Sequence, residues 1–139
     1  MANSVAFRLI TPTQVVFSGD AELVIAVGTE GEEGILAQHA AFLTALKPGV
    51  LRANVVDEGG SRRLELATAE GFMQAFPDRV TVLVDRALRL EDVDVSAARE
   101  ELSAATERQR SASGDPSAHA REQSIIDFAN AKLRLTGHG

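Results

Sequence analysis

Residues 50–68 read VLRANVVDEGGSRRLELAT, two runs of alternating apolar and polar side chains that flank Asp57-Glu58-Gly59-Gly60. Alternation with a period of two is typical of a β-strand with one face turned to a core. An Asp- and Gly-rich connection between two such runs favours a hairpin, because glycine adopts the backbone conformations that tight turns require. This stretch therefore predicts an antiparallel pair of strands, and it sets the fold class of the residues around it.

Further strand signals lie on both sides of this hairpin. Short runs rich in β-branched residues occur at 5–10, 15–18, 22–27 and 80–84, with turn residues at Ser18-Gly19-Asp20 and at Pro77-Asp78. Strands at this spacing, without helical patterns between them, are typical of a sandwich or barrel. We therefore predict an antiparallel β-sandwich or flattened barrel over residues 1–90.

The pattern becomes helical over residues 91–139, which we predict to be a second domain. Asp94 and Asp115 have the side chain preferred at a helix N-cap, and Pro116 fits the first turn that follows. The two predicted helices cover residues 94–110 and 116–136. A short polar turn joins them, so we expect an antiparallel helical hairpin. Its alanine-rich contact surface predicts weak attachment to the sandwich.

The composition limits the classes of protein to which this chain can belong. The 139 residues include no cysteine, which excludes disulfides and thiolate chemistry and agrees with a reducing cytoplasm. The net charge of −6 argues against nucleic-acid binding, because no basic surface is available to replace phosphate counterions. No apolar run reaches the roughly 20 residues of a membrane-spanning helix, and no secretory signal is evident at the N-terminus.

Catalytic chemistry has no supported site in this sequence. The three histidines, His39, His119 and His138, are far apart and lack the spacing of metal ligands. A triad of Ser61, His39 and Asp57 lacks a nucleophile elbow, and the glycines match no nucleotide-binding fingerprint. We therefore predict no catalytic, cofactor or metal site, and a chain that is not an enzyme by itself.

The segment Glu30-Gly31-Glu32-Glu33-Gly34 is an acidic loop with two glycines that permit a sharp turn. Three carboxylates can attract a cation, but the spacing is not that of a calcium loop. We interpret the loop as a solvated contact surface on a rigid scaffold.

The order of these motifs closely resembles that of the epsilon subunit of bacterial F-type ATP synthases. The resemblance extends over essentially the whole chain and is strongest up to Asp94. The residues that carry it are Phe7-Arg8-Leu9-Ile10-Thr11-Pro12, Val16-Phe17-Ser18-Gly19, Gly31-Glu32-Glu33-Gly34-Ile35-Leu36, His39-Ala40, Leu43-Thr44-Ala45-Leu46-Lys47-Pro48-Gly49, Glu70-Gly71-Phe72, Val80-Thr81-Val82-Leu83-Val84-Asp85 and Leu90-Glu91-Asp92-Val93-Asp94.

The resemblance implies a non-catalytic subunit of the rotating central stalk, which couples proton flow to ATP synthesis. The sandwich would pack on the gamma subunit and rest on the c-ring, peripheral to the cytoplasmic face of the bacterial inner membrane. By position, Glu30, Glu32 and Glu33 correspond to a contact with the c-ring. Thr11, His39 and Phe42 correspond to the side that faces gamma.

The resemblance also implies two activities for the hairpin, which in relatives either brakes ATP hydrolysis in the alpha–beta head or binds ATP. Arg121, Lys132 and Arg134 are the basic residues of the second helix that would meet the head. The ATP motif of relatives needs an arginine where this chain has Ala97, and further arginines where it has Phe128 and Lys132. We therefore expect no cofactor and no ATP binding by the hairpin. Two alternatives stay open, a free-standing sandwich that binds a partner through the acidic loop and an ATP-sensing regulator.

Overall fold

The computed structural model describes residues 4–36 and 41–138. In chain order its elements are β1 (Val5–Thr11), β2 (Gln14–Gly28), β3 (Gly31–Leu36), β4 (Phe42–Leu46), β5 (Gly49–Asp57), β6 (Gly60–Thr68), β7 (Gly71–Phe76), β8 (Arg79–Val84), β9 (Ala87–Arg89), a 3-10 turn (Leu90–Asp92), α1 (Val95–Ser111) and α2 (Pro116–Leu135). The predicted fold class is confirmed: a β-sandwich precedes a helical hairpin.

The strands are connected in the order β1-β8-β7-β4-β2-β5-β6-β9, with β3 added beside β2. The first part of β2 pairs with β1 and its second part pairs with β5 and β3. Because β2 pairs with β1 in its first part and with β5 and β3 in its second part, the sheet closes on itself around a core. Within the described residues, β1 and β8 pair in parallel and the other strand pairs are antiparallel.

The turn expected at Ser18-Gly19-Asp20 is wrong, because β2 continues through these residues opposite β1. Gly19 faces Phe7 across the two strands, and a Cβ atom there would lie 3.0 Å from the Phe17 ring. The rings of Phe7 and Phe17 lie 5.5 Å apart, centroid to centroid. Glycine therefore provides space for an aromatic pair at this point of the strand rather than a change of direction.

The core of the sandwich consists of the inward-facing side chains of alternating strand positions. On β5, Leu51, Ala53 and Val55 are buried, as the alternation in the sequence predicts. The largest fully buried side chains of the sandwich are Phe7, Leu9, Ile35, Leu51, Leu66 and Met73.

The hairpin is docked on the sandwich through α2, which contacts β5 and β6. The Asp94 carboxylate accepts a hydrogen bond from the Ala97 N–H at the start of α1, and the Asp115 carboxylate caps α2 in the same way. A second, smaller apolar cluster lies beneath α2. It is formed by Ala67, Ala69, Phe128 and Ala131, with Val50, Leu88 and Leu135 packed around them.

Candidate functional site

The loop predicted over residues 30–34 is wrong from Gly31 onward, because residues 31–34 pair with β2 as the first part of β3. We keep the name acidic loop for residues 30–34, which include the end of the turn and the start of β3. Thr29 and Glu30 form the turn, and Gly31 follows with a φ of 129°, in the region that favours glycine. Glu30 and Glu32 are exposed, and Glu33 is half-buried. Two backbone hydrogen bonds, from Thr29 to Ala45 and from Lys47 to Val27, hold the base of the loop against the end of β4. The loop is therefore anchored to the sandwich on a second side.

Glu32 is already paired within the chain. Its Oε2 atom accepts a hydrogen bond from Nη2 of Arg52 on β5 at 2.7 Å. The Nε atom of Arg52 is buried and has no hydrogen-bond partner in the described part of the chain. Glu32, Arg52 and Arg134 line a cavity of about 230 Å³ between the acidic loop and the end of α2. The sequence did not indicate this proximity of the loop and the second helix, because Glu32 and Arg134 are 102 positions apart.

Of the three residues predicted to face gamma, the structure describes Thr11 and Phe42. Thr11 is buried, and its hydroxyl donates a hydrogen bond to the Gln14 carbonyl at 3.4 Å. Phe42 is half-buried and packs against the core. His39 lies outside the described residues. The assignment of these three residues to a gamma contact stays a prediction.

A row of apolar side chains crosses the outer face of the sandwich beside Thr11 and Phe42. In register, Val15 lies opposite Ile10, Ile10 opposite Leu83, Leu83 opposite Phe72, and Phe72 opposite Ala45. With Leu43 on the same strand as Ala45, these residues form what we call the apolar row. Large side chains in it are well exposed: Leu43 is 67 %, Phe72 54 %, and Val15 and Leu83 each 49 % exposed.

The apolar row is rigidly supported from below. Its strands place Met73, Val82 and Val84 on the opposite, buried face. At one end of the row, a Cβ atom added to Gly71 would lie 2.0 Å from the Leu83 carbonyl oxygen, so the two backbones approach closely. A groove of about 450 Å³ next to Phe72 and Leu83 is lined in part by Pro12 and Leu46. Contiguous exposed apolar surface of this kind marks a site of protein association.

The sequence does contain a local signal for the apolar row. The runs Phe72-Met73 and Val82-Leu83-Val84 are apolar at adjacent positions, so both faces of these strands are apolar. Such runs indicate a sheet face that is covered by something else. The alternation that predicts the strands does not distinguish this outer apolar face from the core face.

The three basic residues predicted to meet the head have different environments in the docked hairpin. Arg121 and Arg134 are exposed. Lys132 is buried, and its Nζ atom lies 2.8 Å from Oε1 of Glu101 on α1. Lys132 can therefore reach a partner only after α2 leaves its present position.

Metal sites and membrane-spanning helices are not seen in the described residues. No group of three or more His, Cys, Asp or Glu side chains in residues 4–36 and 41–138 is arranged to hold a metal ion. Over the same ranges, neither helix is both long and apolar enough to cross a membrane.

Comparisons with known proteins agree on one family. Residues 4–90 match the family model described as "ATP synthase, Delta/Epsilon chain, beta-sandwich domain". The ATP synthase epsilon chain of Chromobacterium violaceum is 39 % identical over 127 residues, which cover 91 % of this chain and 89 % of that protein. ATP synthase epsilon chain 1 of Methylococcus capsulatus is 39 % identical over 134 residues, covering 96 % of this chain and 93 % of that protein.

Solved structures show the same fold at lower identity. A chain of the Euglena gracilis mitochondrial ATP synthase aligns with a TM-score of 0.78 at 20 % identity, covering 97 % of this chain and 82 % of its own length. A chain of the Tetrahymena thermophila mitochondrial ATP synthase central stalk and c-ring aligns with a TM-score of 0.66 at 16 % identity, covering 95 % and 96 %. These two structures support the fold, and the sequence relatives establish the family: the chain belongs to the ATP synthase epsilon chains.

Proposed function

We propose that this epsilon chain is a component of the central stalk that binds gamma through its apolar row and the c-ring through its acidic loop. In this position it couples rotation of the ring to ATP synthesis in the alpha–beta head. The observation that carries the proposal is the apolar row, an exposed and rigid hydrophobic surface on an otherwise ordinary sandwich.

The chemistry of the apolar row favours a permanent protein partner. Large apolar side chains each contribute about 1.5–3 kcal/mol when they move from water into a packed interface. Four such side chains, Leu43, Phe72, Val15 and Leu83, lie on one face that residues 4–36 and 41–138 leave exposed. Thr11 and Phe42 follow and precede the row residues Ile10 and Leu43 in the chain, but their side chains lie on the core side of the same strands.

The acidic loop suits a different partner, a polar surface rather than an apolar one. Glu30 and Glu32 are exposed, and the pairing of Glu32 with Arg52 restricts where its carboxylate can point. The hydrogen bonds between the loop and β4 connect this contact to the strand that carries Leu43. A coupling subunit needs a rigid link between the apolar row and the acidic loop. Torque that passes through such a link is not lost in bending of the protein.

We further propose that the hairpin regulates the complex when it undocks, by presenting its basic face to acidic segments of the head and slowing ATP hydrolysis. Arg121 and Arg134 are accessible in the docked state, and Lys132 joins them only on release. The complex would hold the chain at the cytoplasmic face of the inner membrane without inserting it.

Copurification tests the assignment of the two surfaces. Phe72→Ser and Leu83→Ser should each reduce the recovery of the tagged chain with gamma and the c-ring by about tenfold or more, because a lost 1.4 kcal/mol is a factor of ten. Leu90→Ser is the matched control, since Leu90 is as exposed as Phe72 but lies outside the apolar row. Normal recovery of both row variants would overturn the proposed gamma contact. A wild-type chain found only as a free monomer would favour the free-standing module.

A further inference from the structure

The Phe128 ring lies between two cationic side chains at the centre of the contact between hairpin and sandwich. The Arg86 guanidinium carbon is 5.1 Å from the ring centroid, and the Lys132 Nζ atom is 4.7 Å from it. Phe128 is 7 % and Lys132 5 % exposed, so the contact between these two is shielded from water, whereas Arg86 is exposed. Cation–π contacts are strongest when they are desolvated in this way.

Lys132 has a carboxylate partner on the other helix. Its Nζ atom donates a hydrogen bond to Glu101 of α1 at 2.8 Å. We refer to Arg86, Glu101, Phe128 and Lys132 as the ring cluster. It joins three parts of the molecule, since Arg86 precedes β9, Glu101 belongs to α1, and the other two residues belong to α2.

The apolar contacts around the ring cluster come from few large side chains. Ala67, Ala69 and Ala131 are buried beneath α2, with Val50, Leu88 and Leu135 packed against them. Alanine removes little apolar area from water, so Phe128 is the largest buried apolar side chain of this contact. The loss of its ring would therefore remove a substantial part of the apolar area that docking buries.

The other polar contacts between side chains of the hairpin either join its two helices to each other or are exposed to water. Arg108 pairs with Glu122 at 3.0 Å and Gln109 pairs with Gln123 at 2.9 Å, and both pairs join α1 to α2 rather than to the sandwich. Ser124 donates a hydrogen bond to Glu70 of the sandwich, but this contact is exposed to water. In the ring cluster, by contrast, the buried Phe128 of α2 contacts the exposed Arg86 of the sandwich, and the buried Lys132 pairs with Glu101 of α1.

We propose that the ring cluster is an intrinsic latch that keeps the hairpin docked without any bound ligand. The latch closes when Phe128 inserts between Arg86 and Lys132 and Glu101 neutralises the buried ammonium group. Opening it exposes an aromatic ring and a lysine at the same time. The latch is a property of the isolated chain and stands independently of the proposed role in the stalk.

The Lys132 side chain is 6 % exposed and that of Glu101 42 %, and this inequality predicts an asymmetry that a simple apolar contact does not. Removal of the Glu101 charge leaves an ammonium group buried without its partner, which is more costly than removal of the lysine itself. Glu101→Gln should therefore undock the hairpin more than Lys132→Met. The double variant should dock better than Glu101→Gln alone, because no unpaired charge is left.

The experiment uses the full chain in buffer without nucleotide. Because the chain has no cysteine, cysteines introduced at exposed Glu58 and Ser113 accept a donor–acceptor dye pair, and single-molecule transfer efficiency gives the undocked fraction. We expect Glu101→Gln to raise the ratio of undocked to docked chains at least about tenfold, and Phe128→Leu several-fold. Glu107→Gln is the control, since Glu107 belongs to an exposed ion pair with Arg110 on the same helix.

Two outcomes would overturn the latch. One is an undocked fraction in Glu101→Gln and in Phe128→Leu that stays within twofold of the control. The other is an equal effect of Glu101→Gln and Lys132→Met with no recovery in the double variant. Amide exchange at Phe7 and Leu9 reports whether the sandwich is intact, and these residues should stay protected in every variant.

Discussion

Glu32 and Arg52 join the acidic loop to the middle of the sandwich, through a contact of 2.7 Å between β3 and β5. Arg52 also lies opposite Glu65 in the pairing of β5 with β6. The loop therefore has an exposed acidic edge, and one of its carboxylates, that of Glu32, is held in place by Arg52. A partner that bound this loop, as we propose for the c-ring, would meet a preformed surface, and little conformational freedom would be lost on binding.

Glu32→Gln tests how much this pair stabilises the sandwich. Half-exposed ion pairs are screened by water, so we expect the free energy of unfolding to fall by less than about 1 kcal/mol. Urea denaturation gives this value. Glu30→Gln is the matched control on the same loop and should leave stability unchanged. A loss of several kcal/mol for Glu32→Gln would mean that the pair is a structural support rather than a positioning contact.

Gly71→Ala tests the close approach of β7 and β8 beneath the apolar row. A Cβ atom at this position would overlap the backbone of Leu83, which cannot move without disturbing the core beneath it. We expect the free energy of unfolding to fall by about 2 kcal/mol or more. Gly114→Ala is the control, because nothing lies within 4 Å of a Cβ atom there. Equal stability of the two variants would show that the strands can separate easily.

Removal of the hairpin tests its proposed regulatory role. A chain that ends after Asp92 lacks α1 and α2 but retains the whole sandwich. We expect the assembled complex to hydrolyse ATP faster with this chain than with the full one, while gamma is retained. The matched comparison is the full chain with Arg121→Ala and Arg134→Ala, which should give part of the same increase. Equal rates for all three complexes would assign any brake to another subunit.

Calorimetric titration with ATP tests the expectation that the hairpin binds no nucleotide. Ala97 contributes no guanidinium group, Phe128 is buried, and Lys132 is occupied by Glu101. Phosphate recognition usually depends on such free cationic groups. We expect no saturable heat at millimolar ATP in the full chain. A saturable isotherm that disappears on Asp94→Ala would instead support the ATP-sensing alternative.

The fold class, the family and the non-catalytic character of the chain were predictable from the sequence, and the comparisons confirm them. Alternation in β5 and the caps at Asp94 and Asp115 are local signals, and the structure contains the elements they predict. The turn at Ser18-Gly19-Asp20 was mistaken because glycine is typical of turns but also makes room for a ring. That distinction depends on Phe17 and Phe7, which become neighbours only in the folded sheet.

The surfaces were less predictable than the fold, because they combine residues from distant strands. The apolar row requires the register of β1 with β8, which no local pattern specifies. Lys132 was predicted as a basic residue that would meet the head, yet it is buried, with Glu101 of α1 and the Phe128 ring one turn earlier on α2 as its partners. Pairing between distant residues determines which charged side chains remain free to bind a partner. A single sequence does not show which residues pair in this way.

The parallel pairing of β1 with β8 also has a consequence for how the chain is made. Residues 5–11 leave the ribosome before the other strands of the sandwich, but one of their two partner strands, Arg79–Val84, follows only near the end of the sandwich. Hairpins such as β5–β6 close locally and early, whereas this non-local contact must wait, and contacts of that kind slow folding. The sandwich therefore reaches its final form when α1 begins to leave the ribosome. The helices are added to a domain that is already closed, so their movement need not disturb it.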